Sequence, residues 1–421
     1  MLNYIKRLTS SNFVRSVAIV ATGTAGAQAI AMAFSPAITR IYGPETFGAM
    51  GTFIAIFEII SPLAALSYPL AMVLPEKDSD AIGLAKISLG IALFTSLLVT
   101  IALSVFKTPI INTFNLQPIE PYILLLPITM LFSVLMAIAG QWTIRKKLFG
   151  LKARSAILQA FLINAIKTGL GLISPSAIIL IGTTSFGYLL QSILIWIGIK
   201  TKNKEHDKKT PDDYQTNTLL REYKDFAYFR TPQIFLNSIG QGLPILMLAS
   251  LFTPTAVGYY VLARTVLFVP TNLIGTSVGE VFYPKFVEII RNGESGKKIL
   301  LKACSSLAVI GCAPYLALIL FGPWLFSTIF GTEWLEAGKY ARWMSAWLLI
   351  ILITRPIIAA IPVLSLQGLF LGFEVAAVAI RFIAILIGYF WIDSALGAVM
   401  AFSLSNVIIY MLLTVIIIRK A

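Results

Sequence analysis

Hydrophobic residues in this chain gather into long runs of about twenty or more, parted by short polar connections. A helix rising about 1.5 Å per residue crosses a hydrocarbon core about 30 Å thick in such a run. The alternating ten-residue pattern of a membrane β-barrel is absent. The pattern predicts twelve spans, the first six being Phe13–Ile38, Thr46–Val73, Ile82–Phe106, Tyr122–Gln141, Ser155–Ser174 and Ser176–Ile199. The second six are Phe226–Phe252, Thr255–Tyr283, Ile299–Phe321, Ala337–Val363, Gly368–Trp391 and Ala395–Ile418. The single long polar stretch, Lys200–Arg230, falls between the two sets. The expected organisation is therefore an N-lobe over residues 1–199, a charged cytoplasmic linker over 200–225 and a C-lobe over 226–421.

Composition agrees with a polytopic α-helical membrane protein: 57% of residues are hydrophobic, 12% are charged and the mean hydropathy is +0.85. Soluble domains carry about twice that share of charge. A formal charge of +14 would suit a nucleic-acid binder, but the basic residues lie between spans, where they set orientation. One set of connections holds Lys6, Arg7, Lys77, Lys86, Arg145, Lys146, Lys147, Lys152 and Arg154, then the linker. It continues with Lys285, Arg291, Lys297, Lys298, Lys302, Arg419 and Lys420, whereas the alternate set holds only Arg40, Lys107, Lys339 and Arg342. Both termini are expected to be cytoplasmic, and no external connection is long enough for a folded domain. Ala31-Met32-Ala33 imitates a signal-peptide cleavage site, yet its apolar run is too long for one and is expected to be a retained span. Cys304 and Cys312, eight residues apart in one span, are too distant along a helix to bridge.

The halves repeat one another. IYGPETFGAMGTF (Ile41–Phe53) aligns with LFTPTAVGYYVLA (Leu251–Ala263), placing Pro44 over Pro254 and Gly48 over Gly258. Tyr68-Pro69 and Tyr283-Pro284 follow at similar distances. Six spans lie between the copies, so the repeats are parallel. With SPAITRIYGPETFGAMGTF and its echo ASLFTPTAVGYYVLARTVLFVPTNL, the chain resembles the Wzx-type polysaccharide and O-antigen flippases of the multidrug/oligosaccharidyl-lipid/polysaccharide (MOP) exporter superfamily. The resemblance implies about twelve helices in two pseudo-symmetric six-helix lobes around a central cavity, and alternating access for a lipid-linked oligosaccharide. It supplies no strict residue signature, so candidate site residues rest on the charges.

Lys167, Arg264, Arg355 and Arg381 fall near the middle of spans five, eight, ten and eleven. Each costs about 2.5–3.5 kcal/mol to insert at mid-depth, so such residues usually face a bundle interior or a wet cavity. Glu58 alone among the carboxylates is expected at comparable depth, with Glu280 and Glu374 nearer the cytoplasmic side and Asp393 nearer the outside. One anion cannot neutralise four cations, and the arginines cannot shed their charge. An anionic ligand or mobile anions in water would complete the balance, and the guanidinium fork suits phosphate oxygens. Internal pairing, snorkelling and capping of helix carbonyls are the competing roles. Glu58 could pair with an arginine or carry a coupling proton or ion. Gln28, Asn164, Asn237, Gln241 and Asn272 could meet sugar hydroxyls or bond between helices. Arg15 and Arg40 suit interfacial anchoring, and His206 with Asp212-Asp213 suits a solvated loop. Pro62, Pro244, Pro270, Pro314 and Pro362 would kink spans.

The function expected is translocation of undecaprenyl-pyrophosphate-linked oligosaccharide, for O-antigen, capsule or related glycans, across a bacterial inner membrane. The partners expected are that substrate, membrane lipids, and a polysaccharide polymerase and chain-length regulator; no cofactor, metal or nucleic acid is expected. A multidrug or cation antiporter of the same superfamily is the alternative, although spans one and seven hold no carboxylate. A membrane glycosyltransferase or O-antigen polymerase would need an external acid or base, and the outer connections offer only scattered carboxylates with no histidine. No Walker loop is present.

Overall fold

The computed structural model describes residues 12–202, 215–292, 296–364 and 366–420, with side chains except at 12–18, 202, 270, 272–281 and 283–285. Lys6, Arg7, His206, Asp212 and Asp213 lie outside the described residues, as do the side chains of Arg15, Pro270, Asn272, Glu280, Tyr283, Pro284 and Lys285. Every regular element among the described residues is helical. The protein is an all-α, multi-pass membrane protein, and among the described residues ten helices are long and apolar enough to cross a bilayer. One of these, α1 (Asn12–Ile60), is two helices joined at Gly43, whose backbone (φ 65°, ψ 168°) suits only glycine. Splitting α1 there, and adding the shorter apolar helix Pro254–Val269, makes the architecture compatible with twelve crossings.

The chain divides into two compact units. The first comprises residues up to Tyr42 and Ala49–Gly242. It contains most of α1, α2 (Tyr68–Ala71), α3 (Asp78–Val105), α4 (Lys107–Thr113), α5 (Leu125–Arg145), α6 (Phe149–Ile173), α7 (Ala177–Lys202), α8 (Thr216–Glu222) and the start of α9 (Thr231–Leu251). Its core joins Phe53, Phe57, Leu84, Ile119, Leu126 and Met130. The first half of α1 lies beside α6: Gly23 meets Ala153, and the rings of Phe34 and Phe161 meet edge-on at 6.0 Å. Tyr42 then packs on Gly171. The pairings advance together, so the two helices run parallel, as the first and fifth members of an alternating series must.

The second unit comprises Gly43–Gly48 and Leu243–Ala421. It holds the rest of α9, α10 (Pro254–Arg291), α11 (Gly296–Phe330), α12 (Leu335–Ile353), α13 (Arg355–Ala360), α14 (Gln367–Ile392) and α15 (Ala395–Lys420). Helix α12 packs on α10, α11 and α15, and α14 packs on α15. Phe282, Phe286, Leu300, Ile357 and Leu413 form a buried cluster.

Three sequence expectations change. The second span does not continue as one helix to Val73: it tightens into a 3₁₀ turn at Ser61–Leu63 and turns through Leu66 and Ser67, both in the left-handed region. Pro62 has no N–H with which to extend the helix. The tenth span also breaks, at Thr354, before Pro356. The third change is in the charged stretch, which is not all solvated loop. Helix α8 buries Leu219 against the first unit's core, with Leu220, Tyr223 and Phe226 following on the same face. Tyr68 Oη donates to the Leu220 carbonyl at 3.3 Å, and Thr231 Oγ1 donates to Ser67 Oγ at 2.9 Å.

Candidate functional site

The three arginines lie on separate elements of the second unit. Arg264 is carried by α10, one turn after Tyr260 and one turn before Phe268, and its guanidinium lies 5.3 Å from the Phe268 ring centre. Arg355 opens α13, where Pro356 has interrupted the tenth span, so it stands at a helix break rather than within an unbroken helix. Arg381 is near the middle of α14 and only 7% exposed. Tyr260 lies in the field of both Arg264 and Arg381. Tyr410 lies in the field of Arg381, Arg355 and Glu374, and Tyr315 in that of Arg355. The Tyr315 hydroxyl is held by Thr271. Aromatic edges continue the layer: Phe268 meets Trp347 at 6.0 Å and Trp347 meets Phe402 at 5.8 Å.

Arg381 is engaged inside the α14–α15 pair. Its Nε donates to Asn406 Oδ1 at 2.9 Å and its Nη2 to Tyr410 Oη at 3.4 Å, while Nη1 lies 3.6 Å from Glu374 Oε2. Glu374, two turns before Arg381 on α14, pairs with it. Asn406, in turn, anchors itself by donating Nδ2 to the Phe402 carbonyl at 2.8 Å. Asn406 and Tyr410 were not singled out from sequence. The signal was available, since they are polar residues one turn apart in a helix that is otherwise almost entirely apolar.

Lys167 and Glu58 belong to the first unit. Lys167 lies on α6, where its backbone carbonyl accepts a hydrogen bond from Tyr42 Oη at 2.7 Å. Glu58 is exposed near the end of the second span, in electrostatic reach of Tyr188. Among the polar candidates, Asn164 donates to the Ala160 carbonyl of its own helix. Gln241 donates to Asn237 at 3.2 Å, both exposed, while Gln28 buries a side-chain oxygen without a hydrogen-bond partner. Among the described residues no cluster of His, Cys, Asp or Glu could hold a metal.

A second charged cluster marks the basic end of the first unit. Arg145 Nε donates to Asp78 Oδ1 at 2.9 Å, and its Nη atoms reach the carbonyls of Met72, Pro75 and Glu76 at 2.6–3.2 Å. Lys146 holds the other Asp78 oxygen. Burial pushes the Asp78 carboxyl up, but the hydrogen bonds and charges of Lys146 and Arg145 outweigh it and hold it below the ordinary carboxylate range.

Long apolar helices and a duplicated half define a multi-pass membrane protein. Comparison with known proteins narrows this. The profile of the family described as "Polysaccharide biosynthesis protein" matches residues 37–339. The chain belongs to that family. Among solved structures it is similar to the lipid II flippase MurJ in an inward closed conformation, with TM-score 0.68, 14% identity, and coverage of 94% of this chain and 86% of that one. It is similar also to an inward-facing multidrug resistance MATE family transporter of the MOP superfamily, with TM-score 0.66, 14% identity, and coverage of 95% and 94%. An outward-facing MATE family transporter gives TM-score 0.64 at 13% identity, covering 96% of each chain. At these identities the likeness is one of fold. No curated protein sequence matches the chain. These fold neighbours are named as transporters and a flippase.

Proposed function

We propose that this protein flips undecaprenyl-pyrophosphate-linked oligosaccharide repeat units, destined for O-antigen, capsule or a related polysaccharide, across the bacterial inner membrane by alternating access. The observation that carries this reading is the arginine–tyrosine layer of the second unit. Three guanidiniums stand on mostly apolar helices, and Arg381 is paired with Glu374. A diphosphate suits such groups, because arginine binds phosphate oxygens through a planar fork. Tyr410, half-buried on α15, adds a hydroxyl and a ring face of the kind that meet sugars.

Arg264 and Arg355, in the second unit, are assigned to the pyrophosphate; Lys167, in the first, is assigned a substrate contact of its own. Arg381 is assigned to holding Tyr410 and the α14–α15 pair in place. Glu58 is assigned a pairing or coupling role. The prenyl tail would remain in lipid, and the termini would face the cytoplasm, with a polymerase and chain-length regulator acting on the product outside.

A multidrug antiporter is the second reading, favoured by the MATE neighbours. Three arginines in the spans of the second unit argue against a cationic cargo. The test is complementation of a deletion strain with Arg264→Ala/Arg355→Ala. The flippase reading expects normal membrane insertion, lost surface glycan and lipid-linked repeat units retained on the cytoplasmic leaflet. Unchanged glycan with raised drug sensitivity would select the antiporter.

A further inference from the structure

The connection between α5 and α6 holds a lysine where the backbone favours glycine. The Leu148 N–H donates to the Thr143 carbonyl at 2.8 Å and the Lys147 N–H to the Ile144 carbonyl at 3.0 Å, the two bonds with which a helix closes on a left-handed residue. That residue is Lys147, at φ 56°. Glycine takes this conformation freely and lysine does not. The packing contact of the turn is made by Leu148, against the cluster of Ala139, Ile195 and Ile199, while Lys147 is exposed.

Three more cations stand at the same end of the first unit. Leu151 on α6 packs on Gly198 of α7, and farther along Ile163 meets Gly187, so the two helices run antiparallel. This brings Lys152 and Arg154 level with Lys200. Asp78 is already held by Arg145 and Lys146, and among the described residues no carboxylate pairs with Lys147, Lys152, Arg154 or Lys200. Below the charges both helices expose apolar stripes. On α6, Leu158 and Phe161 follow Arg154 by four and seven residues; on α7, Ile197, Trp196 and Ile193 precede Lys200 by three, four and seven. At that spacing the cation and the stripe share one face of each helix.

We propose that this end of the first unit binds an anionic phospholipid, with its phosphate among Lys147, Lys152, Arg154 and Lys200 and an acyl chain along the stripes. A soluble polyanion would meet the charges and leave the stripes uncovered. A zwitterionic lipid would cover the stripes and bring no net charge. A lipid with a net negative headgroup does both, and a tryptophan one turn from a lysine at a helix end suits the depth where headgroup meets chain. The ammonium of Lys147 is then the reason for a lysine at a glycine-like turn.

The experiment reconstitutes the full-length protein in phosphatidylcholine bilayers containing a small share of lipid brominated near the top of its acyl chains, either phosphatidylglycerol or phosphatidylcholine. Tryptophan fluorescence is read, and the difference between wild type and Trp196→Phe isolates Trp196. Brominated phosphatidylglycerol should quench Trp196 at a lower share than brominated phosphatidylcholine, by at least about fivefold, which is what one basic residue near an anionic lipid contributes. Lys147→Gly should weaken that preference by up to about fivefold while Tm holds or rises, because glycine suits the turn. Lys147→Arg should keep the preference, and K152Q/R154Q/K200Q should abolish it. If W196F does not fold, the phosphatidylglycerol that stays with the protein through purification gives a second measure, higher for wild type than for K147G. Equal quenching by the two lipids, a preference that survives both K147G and the triple variant, or equal phosphatidylglycerol on wild type and K147G, would overturn the lipid seat.

Discussion

Arg381 offers the most informative single perturbation, because its roles as a brace and as a ligand group give different results. Arg381→Met keeps much of the side-chain volume and removes the bond to Asn406, the bond to Tyr410 and the pairing with Glu374. Asn406, 2% exposed, is left with an unmatched carbonyl oxygen, worth about 1–3 kcal/mol. Breaking a buried ion pair from one side costs about 3–5 kcal/mol. Glu374 is 31% exposed and its contact is 3.6 Å long, so the lower part of that range applies. A total of about 4–6 kcal/mol follows, or roughly 8–24 °C in Tm if a unit of this size melts by itself. Thermal unfolding in detergent, read by size exclusion, measures it. Glu374→Gln in the same chain removes the stranded carboxylate and should recover about half of the loss, a coupling seen only in a double-mutant cycle. Equal Tm values for R381M and wild type, or strictly additive effects with E374Q, would refute the brace.

Other predictions follow from the first unit. Arg145→Ala should release the Met72–Asp78 turn and make it a site of limited proteolysis, with wild type uncut under the same digestion. The Asp78 carboxyl is held low, so its contribution is complete above the ordinary carboxylate range and is lost as pH falls through the lowered value. Proteolysis of that turn with an acid-active protease should therefore rise only at strongly acidic pH, and Asp78→Asn should remove the pH dependence. Leu219→Asp should cost about 2–4 kcal/mol by placing a charge in the packed face of α8, seen as faster cleavage near residue 215 with the transmembrane core still folded. Gly43→Ala should cost about 1–2 kcal/mol of backbone strain, read as a fall in Tm.

The span pattern was legible because a bilayer demands about twenty apolar residues per crossing whatever the packing. The helix breaks were legible only as prolines. Pro62 and Pro356 end helices, whereas Pro314 and Pro323 lie within α11, and sequence does not separate the two outcomes. The docked helix α8 was hidden because Leu219, Leu220, Tyr223 and Phe226 share a run with lysines and aspartates, and overall polarity masked their helical spacing. The cations were legible as insertion costs, but their partners were not. Glu374 reaches Arg381 across two turns through side-chain length, and Asn406 arrives from a helix twenty-five residues on. The Pro44/Pro254 and Gly48/Gly258 repeat was visible as duplication, while the packing of each glycine on the other copy's proline carbonyl needed three dimensions.

The central claim is outward movement of a lipid-linked glycan, and sidedness measures it most directly. A deletion strain carrying wild type or Arg264→Ala/Arg355→Ala would be converted to spheroplasts, and an impermeant glycan-modifying enzyme added outside. The account predicts that lipid-linked repeat units are modified with wild type, and protected with the double variant until the membrane is opened. Repeat units equally accessible from outside in the deletion strain would contradict it.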